Sequence, residues 1–198
     1  MNNSKDFNRY IELYQNFLNP NPNITYKTII ILKREFRVTF MNNLLNNLKE
    51  KDLTIRRKSI LALAEYGEDV FDSIVPLYIN SKNIIVKVSC LKTIIRVIVQ
   101  LNLRQLNQEV MKVVDLAIKD NSPEITLSVV SLLRQLGISG RDILIEACKD
   151  KDLLRAKASI SALIEMKDQT VKNFFDELLN DKSIDQMIKE DILKEKII

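Results

Sequence analysis

One turn recurs six times along this chain, and that recurrence limits its possible folds more than any other feature. Aligned on an apolar anchor, the segments read LNPNPNITYKT from Leu18, LKEKDLTIRRKS from Leu48 and INSKNIIVKVSC from Ile79. They continue as IKDNSPEITLSV from Ile118, CKDKDLLRAKAS from Cys148 and LNDKSIDQMIKE from Leu179. The anchors lie 30, 31, 39, 30 and 31 residues apart. Each is followed by a short polar turn and a new amphipathic helix. Gly67 and Gly137 both fall 19 residues after their anchors, so two of the three glycines share one register. A period of this size, with room for two helices per unit, points to an all-α solenoid of stacked antiparallel helix pairs.

The helices follow from apolar periodicity and end signals. A first helix is expected over residues 5–18, with Phe7, Tyr10, Ile11, Tyr14, Phe17 and Leu18 on one side, capping the open end of the stack. Five pairs follow over residues 19–180: 25–37 with 38–49, 52–66 with 72–80, 84–101 with 108–119, 122–136 with 141–149, and 152–166 with 169–179. A closing helix over 183–197 completes one domain spanning 1–198, its Lys189, Lys194 and Lys196 keeping one face wet. Asp52 is expected to cap its helix and Gly67 to end it. Pro76 is tolerable in the helix over 72–80 if it lies in the first turn, where its missing N–H costs nothing, and Ser122-Pro123 is expected as a cap followed by proline at the first helical position. The extra residues of the third unit belong to a longer connection around 101–107. Strand-like runs at 28–32 and 94–99 sit inside longer helical patterns, and three Gly and four Pro are too few for the turns of an all-β fold.

The chain has no histidine. That excludes Ser-His-Asp and Cys-His catalysis, histidine-bound zinc and histidine-ligated haem. There is no P-loop and no GxGxxG, and no metal site is expected. Cys90 and Cys148 lack ligand spacing and read as buried core residues. The opening MNNSKDFNRY carries no apolar signal segment, and no uncharged apolar run is long enough to span a bilayer. A soluble, cytoplasmic protein with no membrane insertion is the expectation. The net charge of +4 is uneven: residues 1–100 carry +6 and residues 101–198 carry −2. This suits an anionic ligand or an acidic partner of the first half, or simply solvated helix faces, and is too mild for nucleic-acid binding.

The charges that recur in register are the candidates for chemistry. Arg56 and Arg57 follow Asp52, Lys87 matches Arg56 in the next unit, and Arg155 follows Asp152 one position earlier. Two readings stand side by side: a ladder of Asp–Arg pairs between neighbouring repeats, or a row of cations for carboxylates, for which the planar guanidinium is well shaped. Tyr66, Arg96, Arg104 and Arg134 are further candidates for an inner face.

The repeats are HEAT-like, and the run from Leu48 to Cys90 resembles the HEAT-repeat phycobilin lyase family, the E/F and Y/Z type subunits. That family shows a D-x-x-x-R-R helix start, then Gly, a Pro-containing second helix, an S-x-N-x-x-V-[RK] turn and Ser-Cys. The matching residues are Asp52, Arg56, Arg57, Gly67, Pro76, Ser81, Asn83, Val86, Lys87, Ser89 and Cys90. Asn19 to Asn23 resembles its first turn, and the shorter Z-like or F-like members are similar in length. The chain departs from the pattern at Lys58-Ser59-Ile60, where the family helix is rich in small residues, and at Thr25-Tyr26-Lys27, where an Arg-bearing start is usual.

The resemblance implies a right-handed superhelix and help in attaching a linear tetrapyrrole, phycoerythrobilin-like, to a cysteine of a phycobiliprotein through a thioether. It implies no intrinsic cofactor, a phycoerythrin subunit as client and a larger Y/E-type HEAT subunit as heterodimer partner. Arg56, Arg57 and Lys87 would hold the bilin propionates, with Tyr66 and Arg96 near them, and Asp52 or Glu65 would hold the pyrrole nitrogens. The client supplies the nucleophile, so an accessory or chaperone role is expected ahead of an independent lyase. A non-enzymatic adaptor for phycobiliproteins and a generic interaction scaffold are the alternatives. A HEAT-like DNA glycosylase is disfavoured by the absence of Trp and the acidic second half.

Overall fold

The computed structural model describes residues 4–182 and 184–196, with side chains through residue 194. Twelve α-helices and no strand occur among the described residues. They are α1 (Ser4–Phe17), α2 (Pro22–Glu35), α3 (Arg37–Asn47), α4 (Leu53–Ala64), α5 (Phe71–Asn80) and α6 (Ile84–Leu101). After them come α7 (Gln108–Ile118), α8 (Pro123–Leu136), α9 (Ile138–Ala147), α10 (Leu153–Met166), α11 (Gln169–Asn180) and α12 (Gln186–Lys196). The fold is all-α, with helices packing on sequence neighbours in the manner of an α-solenoid. Of the expected closing helix, residues 183 and 197 and the side chain of Lys196 lie outside the described residues. No described helix is long and apolar enough to cross a membrane.

The chain forms two compact units, Met1–Arg96 and Val97–Ile198, whose boundary falls within α6. In the first, α1 packs on α2, α2 on α3 and α3 on α4. Its α1–α3 seam is aromatic: Phe17 meets Phe40 edge-on at 5.4 Å and Tyr10 meets Phe36 at 5.3 Å. Asn43 and Asn47 of α3 donate to the Tyr10 and Tyr14 hydroxyls, so these polar tips are satisfied at the edge of the core. In the second unit α8 is central, packing on α7, α9 and α10. Gly140 lets α9 approach α8, because a Cβ there would overlap the Leu133 carbonyl.

The recurring turn works as a helix starter. Asn21, Asp52, Asn83 and Asp152 each accept a hydrogen bond from a backbone N–H in the first turn of the helix that follows. These bonds satisfy donors that have no partner within the helix. Two residues before the cap a second polar side chain accepts the cap's own N–H: Asn19 for Asn21, Ser81 for Asn83, Asp120 for Ser122 and Asp150 for Asp152. Ser122 is the exception. It holds the cap position with Pro123 in the first turn, but its hydroxyl bonds the Glu124 carboxylate at 2.8 Å instead of a backbone N–H. Gly67 and Gly137 share positive φ values of 63° and 64°, so the common register reflects a common backbone need. The longer third connection is present too, with Asn102 at φ 52° and the Leu103 N–H closing on the Ile98 carbonyl.

Pro76 does not lie in a first turn. The helix α5 begins at Phe71 after a 3₁₀ turn over Gly67–Val70, which puts Pro76 in its interior. The proline denies the Asp72 carbonyl its usual donor. Both residues are exposed, so water can take the donor's place.

What joins one repeat to the next is a shared acceptor. The Asn19 carbonyl accepts from Thr25 Oγ1 at 2.9 Å and from Lys58 Nζ. Lys58 also reaches the Phe17 carbonyl at 3.3 Å and Thr25 Oγ1 at 2.8 Å. In the second unit the Asp120 carbonyl accepts from Thr126 Oγ1 at 3.3 Å and Arg155 Nη2 at 3.0 Å. Ser89 stands ten residues after its anchor, as Lys58 does, and donates to the Leu48 carbonyl at 3.3 Å. Burial lowers the Lys58 pKa, yet three oxygen acceptors compensate its ammonium.

Lys58→Met keeps the apolar stem and removes the donor, so it should cost about 1–3 kcal/mol in urea unfolding. Gly140→Ala should cost about as much by overpacking. An unchanged midpoint for Lys58→Met would show that the turn carbonyls find other donors.

Candidate functional site

The helix α2 carries the residues that make the site. Tyr26 and Ile30 lie one turn apart and are exposed, at 51% and 47%, and Arg34 continues the same stripe. Tyr26 to Arg34 spans about 12 Å of helix. At its C-terminal end the stripe opens into a groove of about 430 Å³ lined by Ile29, Ile30, Lys33, Arg34, Arg37 and Glu65. That volume falls in the range of about 300–1,000 Å³ typical of small-molecule sites. Three cations, one carboxylate and two isoleucines form its lining.

Tyr66 backs the groove and organises its cations. It is buried, at 4% exposure, and its hydroxyl donates to the Arg37 backbone carbonyl at 3.1 Å. Burial pushes its pKa up to about 12, against the pull of the Arg37 charge. Lys33 Nζ lies 5.5 Å and Arg37 Cζ 5.2 Å from the same ring centroid, both within cation–π range. Lys33 also donates to the Glu65 backbone carbonyl. Arg37 pairs with Asp69 at 2.7 Å, and Arg34 with Glu35 at 2.9 Å. Glu35 is held below the usual carboxylate range, by Arg34 first and by Arg9 as well.

The sequence-derived candidates divide. Glu65 and Tyr66 come together at this groove. Asp52 caps α4, its carboxylate accepting the N–H groups of Thr54 and Ile55 at 2.7 and 3.2 Å. Arg56 turns back on its own turn, donating to the carbonyls of Glu50 and Lys51. Arg57 and Arg96 are exposed, on α4 and α6. Lys87, half-buried, places its Nζ 5.3 Å from the Tyr78 ring centroid. Of the outer candidates, Arg104 lies against Gly137 and Arg134 pairs with Glu165.

Pairs between repeats do exist, but not at the turns where the Asp–Arg ladder was expected. Arg155 bonds Asp150 of its own turn at 2.7 Å and, across the repeat, a carbonyl and not a carboxylate. The Arg–Asp rungs join the starts of second helices: Arg37 with Asp69 in the first unit, Arg141 with Asp168 at 3.0 Å in the second. The two rungs differ in exposure. Arg141 and Asp168 are 18% and 22% exposed, Arg37 and Asp69 50% and 71%. Asp168 is held below its usual range, by the Thr170 N–H first and by Arg141 next. The rung beside the groove is therefore the open one.

Lys33, Arg34 and Arg37 are not among the sequence candidates, because the first repeat lacks an Arg-bearing helix start in register with the others. The usable signal was the helical spacing of Tyr26, Ile30 and Arg34. Neither cysteine takes part in the site. Both are fully buried, and burial pushes each thiol up to about 12.

Fold and site together define a helical-repeat protein with an open groove that is apolar along its floor and cationic at one end, with no reactive thiol of its own. No family model matches the chain. It is 23% identical over 178 residues to a protein of Pseudanabaena tenuis named uncharacterized phycocyanin operon protein Z. That match covers 89% of this chain and 88% of the relative. It is 26% identical over 153 residues to the bilin biosynthesis protein CpeZ of Synechococcus sp., covering 74% and 82% of the two chains. The resemblance drawn from the repeat motifs is borne out: the chain is similar, over most of its length, to CpeZ-like proteins.

With thiol pKa values near 12, roughly one thiol in ten thousand is ionised at pH 8. The native chain should release almost no colour from an aromatic disulfide reagent at that pH, and two equivalents once unfolded in guanidinium. Unfolded thiols ionise first, so stability should also fall as pH rises from about 9 towards 12. Rapid labelling of the native chain at pH 8 would contradict this burial.

Proposed function

We propose that this chain assists the attachment of a linear tetrapyrrole to a cysteine of a phycobiliprotein, as an accessory or chaperone subunit. The observation that carries the proposal is the first-unit groove, where Lys33, Arg34 and Arg37 gather at one end of an exposed apolar stripe. A linear tetrapyrrole has that polarity: a flat apolar conjugated body and two propionates along one edge. The relative named for bilin biosynthesis supports the same chemistry.

On this reading the chain's task is positioning. The client cysteine is the nucleophile. This chain holds the pigment by its carboxylates and restricts the orientations in which the client can meet it. Glu65, on the groove wall, is the candidate partner for the pyrrole N–H groups, in preference to Asp52, which caps α4. Arg57 and Arg96 are exposed cations suited to carboxylates of pigment or client. A phycoerythrin subunit, a phycoerythrobilin-like pigment and a larger Y/E-type partner are the specific assignments we propose.

Co-expression with a phycoerythrin subunit and a bilin-producing pathway, with and without a Y-like subunit, tests the proposal. Zinc-enhanced fluorescence reports covalent pigment, and soluble client is measured in parallel. Either quantity should rise when this chain is present and fall again with Lys33→Ala/Arg37→Ala. Loss with Arg57→Ala/Arg96→Ala alone would move the site to that pair. Client binding without a change in either quantity would favour the adaptor reading. Absence of client binding would leave a scaffold for another partner.

A further inference from the structure

Resting on the bilin reading, we infer that the groove carries two carboxylate subsites, at Lys33 and Arg37, and that Asp69 occupies the second until a ligand carboxylate displaces it. The two cations are four residues apart, and each faces the ring of Tyr66, at 5.5 and 5.2 Å from its centroid. Tyr66 is buried and tied to the Arg37 backbone, so it fixes both cations from below. A ligand with two carboxylates on one edge meets two prepositioned charges, and its apolar body has Ile30 and Tyr26 to lie on.

Asp69 is the informative residue. Its carboxylate sits 2.7 Å from Arg37 Nη2, where a ligand oxygen would bind. The equivalent pair of the second unit, Arg141 and Asp168, is enclosed and bound to the cap of α11, since Asp168 also accepts the Thr170 N–H at 2.7 Å. Asp69 lies in a 3₁₀ turn that has no side-chain cap, at 71% exposure. An exposed pair of this kind is weak and screened by salt, so a ligand that also engages Lys33 and the apolar stripe can replace Asp69. Asp69 thus lowers affinity for any single carboxylate and leaves the groove selective for a ligand that offers two together with apolar area.

The test is an absorbance titration of the purified full chain with biliverdin and with biliverdin dimethyl ester, which keeps the tetrapyrrole and blocks both acids. The diacid should bind about tenfold or more tightly than the ester, the equivalent of one or more charge-assisted bonds. Asp69→Asn should tighten the diacid several-fold and leave the ester unchanged. Arg37→Gln should weaken the diacid only, since the Tyr66 bond is to the Arg37 backbone and survives the substitution. Arg141→Gln, in the other unit, should alter neither.

Equal binding of diacid and ester would overturn the dicarboxylate subsites while leaving bilin handling intact. Unchanged or weaker diacid binding by Asp69→Asn, with circular dichroism unaltered, would overturn the displacement. If the chain binds neither pigment yet still raises client pigmentation in co-expression, the groove fails as the site and the functional reading stands. If co-expression fails as well, the functional reading falls with it.

Discussion

Backbone carbonyls in the inter-repeat turns at Asn19, Leu48 and Asp120 are the points on which this architecture depends. The end of a helix leaves acceptors without partners, and a stack of short helices produces such ends at every period. Here the Asn19 carbonyl is shared by Thr25 and Lys58, and the Asp120 carbonyl by Thr126 and Arg155. In both cases a threonine six residues on binds the turn from its own repeat, and a cation binds it from the next. Thr25, Thr126 and Arg155 are buried, and Lys58 is half-buried. Loss of either cation would leave its carbonyl with the threonine alone and remove the bond that crosses from one repeat to the next. At these junctions the later repeat therefore fixes the register of the earlier one, which apolar packing between similar helices would do only loosely.

This arrangement also determines which charges are available for function. The cations nearest the recurring turn were the attractive candidates in the sequence, because they recur in register. Recurrence is what a structural device produces. Arg56 and Arg155 recur because every turn has carbonyls to satisfy, and Asp52 and Asp152 recur because every helix has a first turn to cap. A ligand site needs the opposite property, a local departure from the repeat. The first unit supplies one at the far end of its first helices, where Lys33 and Arg37 flank a single buried tyrosine and the inter-repeat rung is open to solvent.

Much of the fold was legible in the sequence, for physical reasons that apply residue by residue. Periodic burial and end signals located the twelve helices to within a few residues; α6 matched at both ends, and the cap positions of Asp52 and Asp152 and the shared register of Gly67 and Gly137 were readable because each answers a local backbone need. Pro76 lies inside its helix and not in a first turn, although the expected start at residue 72 is within one residue of the observed Phe71. Lys58 registered only as a departure from a family pattern, although it is the donor that joins the first two repeats. The groove was half visible. Glu65 and Tyr66 were among the candidates, but their partners come from 28 to 37 residues earlier, and side chains that meet across a repeat leave no mark in a local window.

The groove's chemistry also fits the inertness of the rest of the chain. A protein that positions a pigment for another protein's cysteine gains nothing from a reactive thiol of its own, which would capture the electrophile first. Both thiols here are buried and held far from ionisation at neutral pH. The cations that remain accessible are held by weak, exposed carboxylates, as at Arg37, while the cations that maintain the stack are buried against carbonyls, as at Arg155. Exchange of partners costs little at the first kind of position and a great deal at the second. On the proposed reading, an anionic ligand exchanges with Asp69 at the open rung while the buried cation–carbonyl bonds between repeats stay made, as a carrier that must hand its ligand on requires.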